Sequence, residues 1–119
     1  MEVILDEAAL TNLQNAELDI TVRIKSKINV TSFTARQKVN VLLLDKAGTG
    51  LLADSPVLVA ANGRLCWRVP VILSLPGYGR LGQVGIIDVD MQTSEILMPP
   101  STIETIIENA NQLAQRTAL

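Results

Sequence analysis

Pro56-Val-Leu-Val-Ala-Ala-Asn-Gly-Arg-Leu-Cys-Trp-Arg-Val-Pro-Val-Ile-Leu73 sets two apolar runs on either side of Asn62-Gly63. Asn-Gly tolerates the two positive φ angles of a type I′ turn, so the stretch reads as a β-hairpin with strands near 56–61 and 64–73. In the second strand Leu65, Trp67, Val69, Val71 and Leu73 share one face, and Cys66, Arg68, Pro70 and Ile72 share the other. Trp67, the single tryptophan, is expected to be the largest block in the core. Pro70 has no N–H, which predicts an edge, a bulge or a position without a ladder bond.

Working downstream, Pro76-Gly77-Tyr78-Gly79 is dense in turn formers, and 82–90 predicts a third antiparallel strand. Gly77 and Gly79 are read as turn glycines, and Gly82 and Gly85 as a bulge or a close backbone approach. Met91 to Ser94 predicts a tight connection, Glu95 to Met98 a short strand, and Pro99-Pro100 its end. A helix is predicted over 102–116. Ser101 and Glu104 have capping-box spacing, and Ile103, Ile106, Ile107, Ala110, Leu113 and Ala114 form one apolar stripe. Thr105, Glu108, Asn109, Asn111, Gln112 and Arg116 form its polar face.

Upstream, a helix is predicted over 34–46, opened by Thr34 with Gln37 as a capping pair and stopped by Gly48 and Gly50. Ala35, Val39, Leu42 and Leu43 make its apolar stripe, which Val41 and Leu44 widen, so the helix is expected to be covered by the sheet and by a second subunit. Strict alternation over 17–28 predicts a strand, and residues 1–16 are read as a mobile arm. The fold class is α+β in a single domain over 1–119. It has an antiparallel meander of four to five strands, a helix before the central hairpin and a C-terminal amphipathic helix packed on it.

Composition limits the chemistry. Histidine is absent and there is one cysteine, which removes Ser-His-Asp and Cys-His catalysis, the usual zinc ligand sets and any intrachain disulfide. Cys66 reads as a small buried hydrophobe. Asp88-Val-Asp90-Met-Gln92 echoes the start of a calcium loop, but Thr93 and Pro99 stand where that loop needs Gly and Glu; both aspartates are read as outward carboxylates ending a strand. No catalytic, cofactor or metal residue is assigned. The acidic start carries no basic segment with a long apolar core, and no run reaches the length of a membrane span, so a cytoplasmic location without membrane contact is expected.

The candidate contact residues are Arg23, Lys25, Lys27, Arg36 and Lys38, which put +5 between Ile20 and Leu44 without an acidic residue, in a chain of net charge −2. Residues 1–19 hold the compensating Glu2, Asp6, Glu7, Glu17 and Asp19. No aromatic residue alternates with Arg23, Lys25 and Lys27, so stacking on bases is unsupported.

The run Trp67-Arg-Val-Pro-Val, a glycine-rich turn, then Gly85-Ile-Ile-Asp-Val-Asp90-Met-Gln-Thr-Ser-Glu-Ile96 resembles PepSY-like modules. Those show a Trp-x-Val-x-Val strand and a Val-Asp-Ala-x-Thr-Gly-Glu-Ile closing turn. Ser94 stands where that pattern has Gly, and the family usually sits outside the cytoplasm. The chain also resembles a group of small cyanobacterial proteins. The resemblance covers about 34–97 and implies a helix on an antiparallel sheet, with no catalytic residue. Three functional expectations result. The first is a non-enzymatic protein-interaction module that forms a homodimer or takes a protein partner. The second is an antitoxin-like or regulatory protein whose basic 23–38 segment meets nucleic acid or a nuclease. The third is a small-ligand-binding domain.

Overall fold

A computed structural model describes Asp19, Arg23, Lys25 and residues 27–118 except 49 and 62; the arm expected over 1–16 and Asn62 lie outside the described residues. The described elements are α1 (Ser32–Lys46), β1 (Leu51–Ala53), β2 (Val57–Ala61), β3 (Arg64–Leu75), β4 (Gly79–Asp90), β5 (Ile96–Leu97) and α2 (Thr102–Ala118). They form a two-layer α+β fold with one antiparallel sheet. β3 is central, with β4 then β5 on one side and β1 and β2 in line along the other. The strand expected over 17–28 falls mostly on residues outside the described set; Asp19, Arg23, Lys25, Lys27 and Ile28 within it are exposed and lie in no described strand.

The hairpin stands as read. Ala61 pairs with Arg64 across a two-residue loop, and Gly63 takes φ 75°, the left-handed value a primed turn requires at its second position. Pro70 lies in the central strand rather than at an edge. β1 ends at the Ala53–Val71 pair and β2 begins at Val57–Arg68, so the missing N–H falls opposite the break between them. The Pro70 carbonyl still accepts from Asp54 N at 2.8 Å.

Both described helices cover the same sheet face. Ala35, Val39 and Leu43 of α1 and Ile106 and Ala110 of α2 join Val69, Val71, Leu73, Val84, Ile87 and Val89 in one core. Each such large aliphatic contributes about 1.5–3 kcal/mol when removed from water. The expected stripe of α2 therefore faces the sheet. α1 starts earlier than read: the Thr31 hydroxyl accepts from Thr34 N at 3.1 Å, so the cap is Thr31, one turn ahead of the Thr34–Gln37 pair. Trp67 is also not the central block. It is half-buried at the margin with Nε1 donating to Val30 O at 2.6 Å, while Leu43, Ile87, Met91 and Ile106 fill the interior.

β4 carries two register shifts against β3, at Val84 and Leu81, next to Gly85 and Gly82. The bulge turns Val84 into the core, and Asn109 Nδ2, on the face of α2 read as polar, donates to the Val84 carbonyl at 2.9 Å. Gly85 lets α2 approach the strand, since a Cβ there would stand 2.5 Å from Ile106 Cγ1. No helix among the described residues is long and apolar enough to cross a membrane.

Candidate functional site

The sheet end at Gly63 and the 91–95 turn frames a polar cleft of about 380 Å³, where Lys25, Arg64, Asp90 and Glu95 converge. Its floor is the connection after β4. Asp90 is 8 % exposed, and its Oδ1 accepts from Gln92 N at 2.8 Å and Thr93 N at 3.0 Å, a side-chain cap that folds the chain back. The Thr93 N–H, supported by Gln92 N–H, the Thr93 hydroxyl and the Arg64 guanidinium, holds its carboxyl below the usual carboxylate range against partial burial. Ser94 closes the turn at φ 62°, left-handed although it is not glycine.

Lys38 of α1 reaches that turn. Its Nζ donates to Ser94 O at 2.5 Å and to Ser94 Oγ at 3.2 Å, bonding helix to turn across the top of the sheet. Arg36, two residues earlier on α1, donates from Nε to Ala53 O at 3.0 Å, while Asn40 Oδ1 accepts from Ala53 N at 2.8 Å. Two of the five candidate basic residues thus hold backbone carbonyls. Arg23, Lys25 and Lys27 are exposed, and of these Lys25 lines the cleft. The five are therefore spread over different surroundings.

Asp88 and Asp54, outside the cleft, are each engaged by an arginine. Asp88 is bonded bidentately by Arg68, Nε to Oδ1 at 2.9 Å and Nη2 to Oδ2 at 3.0 Å, on the sheet face opposite the two described helices. Cys66, on the same face, is 5 % exposed; burial pushes its thiol up, and the Asp88 and Asp90 carboxylates add to the shift. A raised thiol holds little thiolate near neutrality and is a poor nucleophile. Asp54 is held below the usual range by the Arg80 guanidinium, whose Nη2 donates to Oδ2 at 2.6 Å, and then by Ser55 N–H. The described residues contain no group of three or more acidic, Cys or His side chains arranged to hold a metal ion. The cleft can take a small polar molecule by charge and hydrogen bonding, since it presents both signs.

Sequence reasoning missed Arg36, Asn40 and Asn109 as groups that bond strand backbone. The available signal was a polar residue beside an apolar stripe on each helix. No family model, curated protein or solved structure matches the chain.

Proposed function

We propose that this chain is a non-enzymatic interaction module that self-associates as a homodimer. The observation that supports it is where apolar surface is left in water. Among the described residues nine large hydrophobics are exposed, and Phe33, Val41, Leu44, Leu52, Val57 and Leu58 of these belong to α1, β1 and β2. These elements form one flank, because Arg36 and Asn40 tie α1 to the edge of β1. Phe33, Val41 and Leu44 lie on the side of α1 turned away from buried Ala35, Val39 and Leu43, so both sides of the helix are apolar. Large apolar side chains left in water on a flank of the fold favour association, and a two-fold pair of identical chains is the default arrangement. Size-exclusion chromatography with light scattering tests it. The full chain should run at twice the mass of one copy at micromolar concentration, and a clean single-copy mass would sink the reading.

A PepSY-like affinity is supported by the order of helix, hairpin, third strand and closing turn, and by the left-handed φ of Ser94, where that pattern has Gly. The nucleic-acid reading rests on the basic segment, of which Arg23, Lys25 and Lys27 are exposed. Replacing those three by Ala should weaken binding and flatten its salt dependence if it is right; unchanged binding removes it.

A further inference from the structure

We infer that the homodimer forms by antiparallel pairing of β2 with β2 of a second copy, in register about Val59. This rests on the self-association reading and assigns its seam. β1 and β2 run along one edge of the sheet, but their outward backbone groups are treated differently. Ala53 in β1 has its N–H bonded by Asn40 and its C=O by Arg36, so that part of the edge is closed from within the chain. In β2 the two-residue loop makes Ala61–Arg64 a hydrogen-bonded pair, and alternation then makes Val59–Cys66 and Val57–Arg68 bonded pairs. Leu58 and Ala60 therefore turn their N–H and C=O groups away from the sheet, and no side chain among the described residues closes them as Asn40 and Arg36 close Ala53.

The other edge is shaped against pairing. β4 is bulged at Val84 and Leu81, Asn109 takes the Val84 carbonyl, and β5 has two residues. β2 instead pairs with β3 without a register shift, and Val-Leu-Val-Ala-Ala holds neither charge nor proline, the usual devices that blunt an edge. An extended strand is what a row of outward amides and carbonyls recognises. A second copy fits because β2 is uncharged and meets itself without like charges opposed. Val59 would face Val59 of the second copy as a pair without mutual hydrogen bonds. Leu58 and Ala60 would exchange bonds with Ala60 and Leu58 across the axis. Leu58, 49 % exposed, and Val57, 54 % exposed, lie on opposite faces of the strand, so pairing covers apolar surface on both.

Two kinds of variant test the seam. In a Cys66→Ala background, Val59→Cys should form a disulfide-linked dimer under mild oxidation much faster than Tyr78→Cys, whose position is exposed in the β3–β4 turn. Ala60→Pro removes only an outward N–H, and it should raise the dimer dissociation constant at least about tenfold. Val41→Glu/Leu44→Glu, on the outer face of α1, should change that constant far less. Equal cross-linking of the two cysteine variants, or an Ala60→Pro dimer as tight as wild type, overturns the seam. If Val41→Glu/Leu44→Glu dissolves the dimer and Ala60→Pro does not, self-association stands and β2 is not its seam. If the wild-type chain has single-copy mass throughout, the self-association reading itself fails.

Discussion

Gly85→Ala is a demanding perturbation of the helix–sheet contact. A methyl group at 85 would meet Ile106 Cγ1 at 2.5 Å and Cδ1 at 3.0 Å, both inside van der Waals contact. Ile106 cannot yield by swinging away. It is 2 % exposed, it sits within α2, and a β-branched side chain in a helix has one strongly preferred χ1. The helix must lift by a fraction of an ångström, which loosens the Ala110 contact and strains the Asn109 bond to Val84 O. Overpacking of this kind costs about 1–3 kcal/mol, and about 2 kcal/mol lowers the melting temperature by roughly 8 °C in a chain of this length. Urea unfolding followed by Trp67 fluorescence measures it. Ile106→Ala alone costs about 2–5 kcal/mol through the cavity it leaves, but it removes both clashing atoms. In that background Gly85→Ala should therefore be neutral or stabilising, a coupling of about 2 kcal/mol between the sites. A Gly85→Ala protein within about 0.5 kcal/mol of wild type, or strict additivity with Ile106→Ala, would refute the close-approach argument.

Ser94→Gly should stabilise the fold by about 0.5–1 kcal/mol by relieving the left-handed φ, at the loss of one exposed hydroxyl contact with Lys38; chemical denaturation checks it, and a loss of stability would contradict it. Asp90 has its folded pKa lowered, so its stabilisation is present above the unfolded carboxylate value near 3.9 and is lost as pH falls through the folded value. Asp90→Asn, which keeps an acceptor for Gln92 and Thr93, should cost about 1 kcal/mol near neutrality and almost nothing in strong acid; a cost independent of pH would contradict the charge argument. Cys66 should react with a neutral thiol reagent only at the rate of opening of the fold, and rapid native-state labelling would contradict its burial.

Much of this architecture is legible locally. Two-residue periodicity and Asn62-Gly63 specify the hairpin, and the spacing of Ile103, Ile106, Ala110 and Leu113 specifies the face of α2, because each signal depends on neighbours within a few residues. Gly82 and Gly85 announce themselves as points of bulge and close approach, since a strand interior otherwise disfavours glycine. The cap of α1 is less legible: Thr31 and Thr34 both precede apolar spacing, and only the seating of Val30 beside Met91 and Trp67 selects the first. β1 has three residues, too short for a periodicity, and it exists because α1 and β3 sit on either side of it. In the candidate site, Asp88 and Asp90 read alike as outward carboxylates. The structure separates them, giving one a cross-strand arginine and the other two turn amides. Arg36 and Lys38 read as surface charge because their partners, Ala53 and the 91–95 turn, are brought near only by the tertiary fold.

Amide hydrogen exchange of the intact chain, resolved residue by residue at several concentrations, tests pairing through β2 most directly. Val57 and Val59 amides, bonded to β3, should be protected at every concentration. Leu58 and Ala60 amides should exchange freely in dilute solution and become protected as concentration rises through the dimerisation range. Leu58 and Ala60 amides that exchange at one fast rate throughout, in a sample whose mass has doubled, would contradict the account.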